Sequence, residues 1–110
     1  MKLGHIEVFV KDAPRSRDWY VRVLGANATS DQGEFQWVEL GGVELLLRPG
    51  TGSQAEGYRD SSLAVVLYVE DAAKFKSDLE SKGVEVTHGD NDDCLTFQDP
   101  DGHWIQSVQA

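Results

Sequence analysis

His5-Ile6-Glu7-Val8-Phe9-Val10-Lys11-Asp12 decides the fold, because the chain repeats its pattern. Ala64-Val65-Val66-Leu67-Tyr68-Val69-Glu70-Asp71 follows 59 positions later. Both runs alternate with the period of a strand. In the first, Ile6, Val8 and Val10 share one face, and His5, Glu7 and Phe9 the other. Each run ends in an acidic residue suited to cap a helix. After Asp12, Pro14 sits in the first turn, where its missing N–H costs nothing. Trp19, Tyr20, Val23 and Leu24 then recur at helical spacing, and Gly25 stops the helix. After Asp71, Phe75 and Leu79 stand at i, i+4, and Gly83 stops the helix.

Three strands are expected behind each helix. In the first half they are residues 26–31, Phe35 to Leu40 and Val43 to Arg48, the last two joined by Gly41-Gly42. In the second half they are Val84 to Thr87, Cys94 to Gln98 and Trp104 to Val108. The last two are joined by Asp99-Pro100-Asp101-Gly102, a turn with Pro at its second position and Gly at its fourth. Between the halves, Pro49, Gly50, Gly52, Ser53, Gly57 and Ser61 mark a linker or surface loop. The fold class is α+β, two βαβββ modules in one domain: about 1–50, a linker at about 51–61, and about 62–110.

Composition narrows the function. With 110 residues, 40% hydrophobic and 26% charged, the chain reads as a soluble globular domain. No apolar run approaches membrane-spanning length. Met1-Lys2-Leu3-Gly4-His5 lacks the apolar core of a signal peptide, and Cys94 is alone, so a reducing cytoplasm is expected. The net charge of −9 argues against nucleic acid as a partner. It is compatible with a cationic ligand, or with solubility alone. Residues 61–110 hold ten acidic groups against three basic ones, several of them in Asp90-Asn91-Asp92-Asp93. That loop reads as a solvated turn, since the ligand spacing of a calcium loop is absent.

Three pieces carry a resemblance that spans the chain. They are His5-Ile6-x-Val8-x-Val10-x-Asp12, Ser16-x-x-Trp19-Tyr20-x-x-x-Leu24-Gly25, and Asp99-Pro100-Asp101-Gly102-His103-Trp104-Ile105-Gln106. In this order, with the repeat between them, they resemble the vicinal oxygen chelate superfamily, which holds glyoxalases, bleomycin-resistance proteins and extradiol dioxygenases. The resemblance implies a curved mixed sheet around a cavity, with helices outside. It also implies four metal-ligand positions, which fall on His5, Glu44, Ala64 and Gln106. His5 and Glu44 are good ligands, Gln106 offers a neutral amide, and Ala64 offers nothing. Lewis-acid chemistry needs a firmly held ion with open positions. His88 and His103 lack the strand parity of Gln106.

The expectation is therefore a bleomycin-resistance-like protein without a cofactor. Alternation aims Glu7, Phe9, Arg48, Tyr68 and Trp104, with Trp37, at the cavity beside Glu44 and Gln106. Aromatic faces with acids suit a small aromatic or cationic molecule, held by stacking and cation–π contact. Arg48 is free either to neutralise Glu44 or to hold an anionic group. Drug sequestration in the cavity of a homodimer follows from the resemblance. The alternative is a lyase, isomerase or dioxygenase with a divalent metal (Ni, Zn, Mn or Fe) on His5 and Glu44. A metal-free enzyme would use Glu7 or Glu44 as a base, with its pKa raised by an apolar cavity.

Overall fold

A strand running into an aspartate-capped helix starts each half. The computed structural model describes residues 1–52, 55–89, 91 and 94–110. They fall into two units, residues 1–53 and 54–110.

In the first unit, β1 (Ile6–Val10) leads into α1 (Ala13–Leu24). The Asp12 carboxylate accepts from the Arg15 backbone N–H at 3.1 Å, satisfying a donor that the first turn leaves unpaired. Gly25 ends α1 at φ 71, a left-handed conformation without a Cβ penalty. β2 (Asn27–Gln32), β3 (Phe35–Leu40) and β4 (Val43–Pro49) follow. The sheet order is β1-β4-β3-β2, with β1 parallel to β4 and the other pairs antiparallel. The expected weak strand is β2, shifted by one residue and exposed throughout.

α1 covers one face of this sheet, against β3 and β4. Val10, Tyr20, Val23, Val38, Leu45 and Leu47 are buried there, in agreement with the alternation. Gln36 is also buried, and its amide is satisfied. Arg17 Nη1 donates to its oxygen at 2.7 Å, while its nitrogen donates to Asp31 at 2.6 Å and to the Gly33 carbonyl at 2.8 Å. This network ties α1 to the β2–β3 hairpin.

The second unit repeats the path. β5 (Val65–Val69) precedes α2 (Ala72–Ser81), capped by Asp71 on the Lys74 N–H at 3.0 Å. β6 (Thr87–His88), β7 (Cys94–Gln98) and β8 (Trp104–Gln109) complete a sheet of order β5-β8-β7-β6. Here too the first and last strands are parallel. Leu79, Leu95, Phe97 and Ile105 form the core.

Two expectations change. The strand read at Val84 to Thr87 forms only at Thr87–His88. The Val84 N–H instead bonds back to Leu79 O at 3.0 Å, closing the end of α2. The stretch read as linker is built in part. Tyr58–Asp60 is a 3-10 turn, and residues 55–61 belong to the second unit. Of the acidic loop at 90–93, Asp90, Asp92 and Asp93 lie outside the described residues, as do Ser53 and Gln54 of the linker.

Candidate functional site

Each sheet has one face under its helix and one turned away from it. On the first sheet the second face carries His5, Glu7, Phe9, Trp37, Glu44 and Arg48, as alternation predicts. Glu7 is bridged. His5 Nε2 lies 2.9 Å from Glu7 Oε2, and Arg48 Nη1 donates to Glu7 Oε1 at 3.0 Å. The Arg48 guanidinium carbon lies 5.8 Å from the Phe9 ring centre and 5.1 Å from that of Phe35. The register places Arg48 opposite Phe9, which accounts for the first contact. The His5 ring meets Trp37 edge-on at 4.8 Å.

The hydrogen bond from His5, and then that from Arg48, hold the Glu7 carboxyl below the usual carboxylate range. This corrects the expectation of a raised Glu7 acting as a general base. Arg48 pairs with Glu7 rather than with Glu44. Glu44 accepts from the Thr29 hydroxyl at 3.2 Å.

His5 and Glu44 each precede a registered pair, Ile6 with Leu45, so the two start neighbouring parallel strands. The same register in the second unit pairs Val65 with Ile105. Glu44 therefore corresponds to Trp104, and Gln106 corresponds to Leu46. Among the described residues, no three His, Cys, Asp or Glu side chains are grouped to hold a metal. Within the first unit these positions offer one imidazole bonded to Glu7 and one carboxylate, and within the second one neutral amide and Ala64; neither pair by itself fits a firmly held ion.

The second unit has a hollow of about 380 Å³ on the face away from α2. Trp104, Gln106, Thr96 and Thr87 line its sheet side, and Gly57, Tyr58, Arg59 and Asp60 its other side. The Trp104 indole N–H donates to the Ala55 carbonyl at 2.9 Å. The Tyr58 hydroxyl donates to Gln106 Oε1 at 3.1 Å. Thr87 and Thr96 hydroxyls bond to each other at 2.7 Å. Gly89 presses against the same floor, since a Cβ there would stand 3.2 Å from Gln106 Nε2.

Trp104 and Gln106 of the expected set stand in this lining, and Tyr58, Thr87 and Thr96 join them from outside that set. His88 is off the row of Gln106, as its parity implies, since the register pairs it with Leu95; it still borders the hollow at the strand's end. Thr87 and Thr96 were legible in principle, because they continue the cross-strand row that contains Gln106. Tyr58 was not, because it lies in a stretch without periodicity. Tyr68, expected in the cavity wall, is 80% exposed and lies outside this lining.

A superfamily profile matches residues 2–107. The chain belongs to the glyoxalase/bleomycin resistance protein/dioxygenase superfamily. No curated protein sequence matches it. Several solved structures share its fold. TnmS3, an antibiotic binding protein from Streptomyces sp. CB03234, is 26% identical, with a TM-score of 0.72 over 99% of this chain and 98% of that one. TioX from Micromonospora sp. ML1 is 22% identical, with a TM-score of 0.73 over 97% and 98%. The fosfomycin resistance protein FosX from Listeria monocytogenes, complexed with Mn(II) and sulfate, is 16% identical, with a TM-score of 0.81 over 99% and 90%. No helix among the described residues of this superfamily member is long and apolar enough to cross a membrane.

Proposed function

We propose that this protein binds a small aromatic molecule and sequesters it without chemical change, as a homodimer in the cytoplasm and without a metal. The carrying observation is the hollow in the second unit, where an indole, a phenol, an amide and two threonine hydroxyls meet. Such a lining stacks a planar ligand and fixes it with a few polar contacts. The first face supports the aromatic half of the expectation over the cationic half. Its Glu7 charge is already matched by Arg48, which leaves Glu44 as the acid available to a cation. The description of TnmS3 as an antibiotic binding protein supports a ligand of the same kind here.

The second reading is a metal-dependent lyase, isomerase or dioxygenase. It is supported by the adjacency of His5 and Glu44 at the starts of two parallel strands. One calorimetric experiment separates the two. Chelator-stripped protein is titrated with Ni²⁺, Zn²⁺, Mn²⁺ and Fe²⁺, then with bleomycin and with a neutral planar dye. Saturable binding of an organic ligand, with metal heats no larger than those of His5→Ala, is the expected result. Micromolar metal binding that is lost in His5→Ala would put the enzyme reading first.

A further inference from the structure

Two polar atoms that β8 offers on the binding face, one donor and one acceptor, are already bonded. The Trp104 indole N–H is held by Ala55, and the Gln106 amide oxygen by Tyr58. Both partners come from one short segment, 49 and 48 positions earlier in the chain. That segment has an internal structure of its own. The Asp60 N–H bonds to Gly57 O at 3.0 Å, and the Ser61 N–H to Tyr58 O at 3.2 Å. Residues 57–60 thus meet the sheet as a small folded piece, and the hollow lies between the two.

We infer that residues 55–61 are a strap across the second-unit face, and that a ligand donating to Gln106 Oε1 competes there with the Tyr58 hydroxyl. The inference rests on the proposed small-molecule binding and adds its control. Such a ligand carries a donor for Gln106 Oε1 in place of the phenol, and an aromatic plane for Trp104. The strap filters as well as gates, because an apolar ligand without that donor would leave the Gln106 oxygen unpaired.

The test separates the strap from the binding. Solvent exchange of the Trp104 indole N–H is followed by NMR in the wild type and in Tyr58→Phe, with Trp19 as internal reference. N-phenyl-1-naphthylamine, a neutral fluorescent aromatic amine, is titrated into both proteins. Loss of one ordinary hydrogen bond should speed Trp104 exchange about fivefold and tighten probe binding by a similar factor, with Trp19 unchanged. Unchanged Trp104 exchange overturns the strap. So does faster exchange with equal probe affinity, and the binding function then stands without a gate. Binding by neither protein overturns the gate together with the function it would serve.

Discussion

The two units share a chain path and part company on the side away from the helix. In the first unit that side is a hydrogen-bonded polar chain, His5 to Glu7 to Arg48, with the guanidinium near the Phe9 and Phe35 rings. In the second, the 59-residue offset puts Ala64, Val66 and Tyr68 where His5, Glu7 and Phe9 stand. Trp104, Gln106 and Val108 replace Glu44, Leu46 and Arg48. The helix-side features do not diverge in this way. Asp12 and Asp71 cap alike, Gly25 and Gly83 both take positive φ, and Leu45 and Ile105 are both buried. Packing under a helix restricts volume and shape, so those positions keep their character. The opposite face is under no such restriction, and one scaffold there carries two chemistries.

The hairpins before β4 and β8 sharpen the contrast and give the largest expected effect. Gly41-Gly42 turns the first at positive φ, with one bond from the Gly42 N–H to the exposed Glu39 carboxylate. The second is built on the Asp99 carboxylate, whose side chain is fully buried. It accepts from the Asp101 and His103 N–H groups, each at 2.9 Å, and from His103 Nδ1 at 2.8 Å. Asp99→Ala would strand these donors and cost about 3 kcal/mol in urea unfolding. Gly42→Ala would cost about 1 kcal/mol, the strain of a left-handed residue. Equal losses would remove the distinction between the two turns.

Acid comes next. Glu7 is held low by His5 and Arg48, Asp31 by Gln36 and the Gly33 N–H, and Glu39 by Asn27 and the Gly42 N–H. All three lie in the first unit. A carboxyl depressed on folding stabilises the fold above its unfolded value, here 4.5 for glutamate and 3.8 for aspartate. That contribution is lost as pH falls through the folded value. The melting temperature should therefore fall on acidification below about pH 4.5, less steeply in Glu7→Gln. An identical acid slope in Glu7→Gln would mean that the hydrogen-bonded chain does not contribute.

The smallest effect is expected at Gly89. A methyl there meets Cys94 Cβ at 3.0 Å and Gln106 Nε2 at 3.2 Å. Gly89→Ala should move the amide by a few tenths of an ångström and speed Trp104 indole exchange less than Tyr58→Phe does. An effect larger than that of Tyr58→Phe would place the control of the face in its floor instead of its strap.

Period and punctuation made the scaffold legible before any coordinates. β3 and β7 begin and end where alternation puts them, and both capping aspartates were identified from their position before a helical pattern. Strand parity also placed Glu7, Phe9 and Arg48 on one face. It could not choose partners, because a face lists neighbours without ranking them. Hence Arg48 was open to Glu44, although Glu7 holds it. Tyr58 was out of reach for a different reason. Its place depends on a bond to Gln106 across 48 residues, and Gly, Ser and polar residues around it carry no period to betray that. That Leu46, and not Glu44, is the counterpart of Gln106 follows only from the β-sheet register.

Gly50 has a consequence for anyone who would re-engineer this protein. Its N–H bonds to Val10 O at 3.1 Å, and a Cβ built on it would lie 2.6 Å from the Phe9 ring. Position 50 is therefore closed to every other residue, because the Phe9 Cβ would also lie 2.7 Å away whatever its ring does. A variant library that randomises either position alone will sample mostly clashes or holes. Randomising 9 and 50 together would add little, because only glycine at position 9 removes the Cβ that blocks position 50.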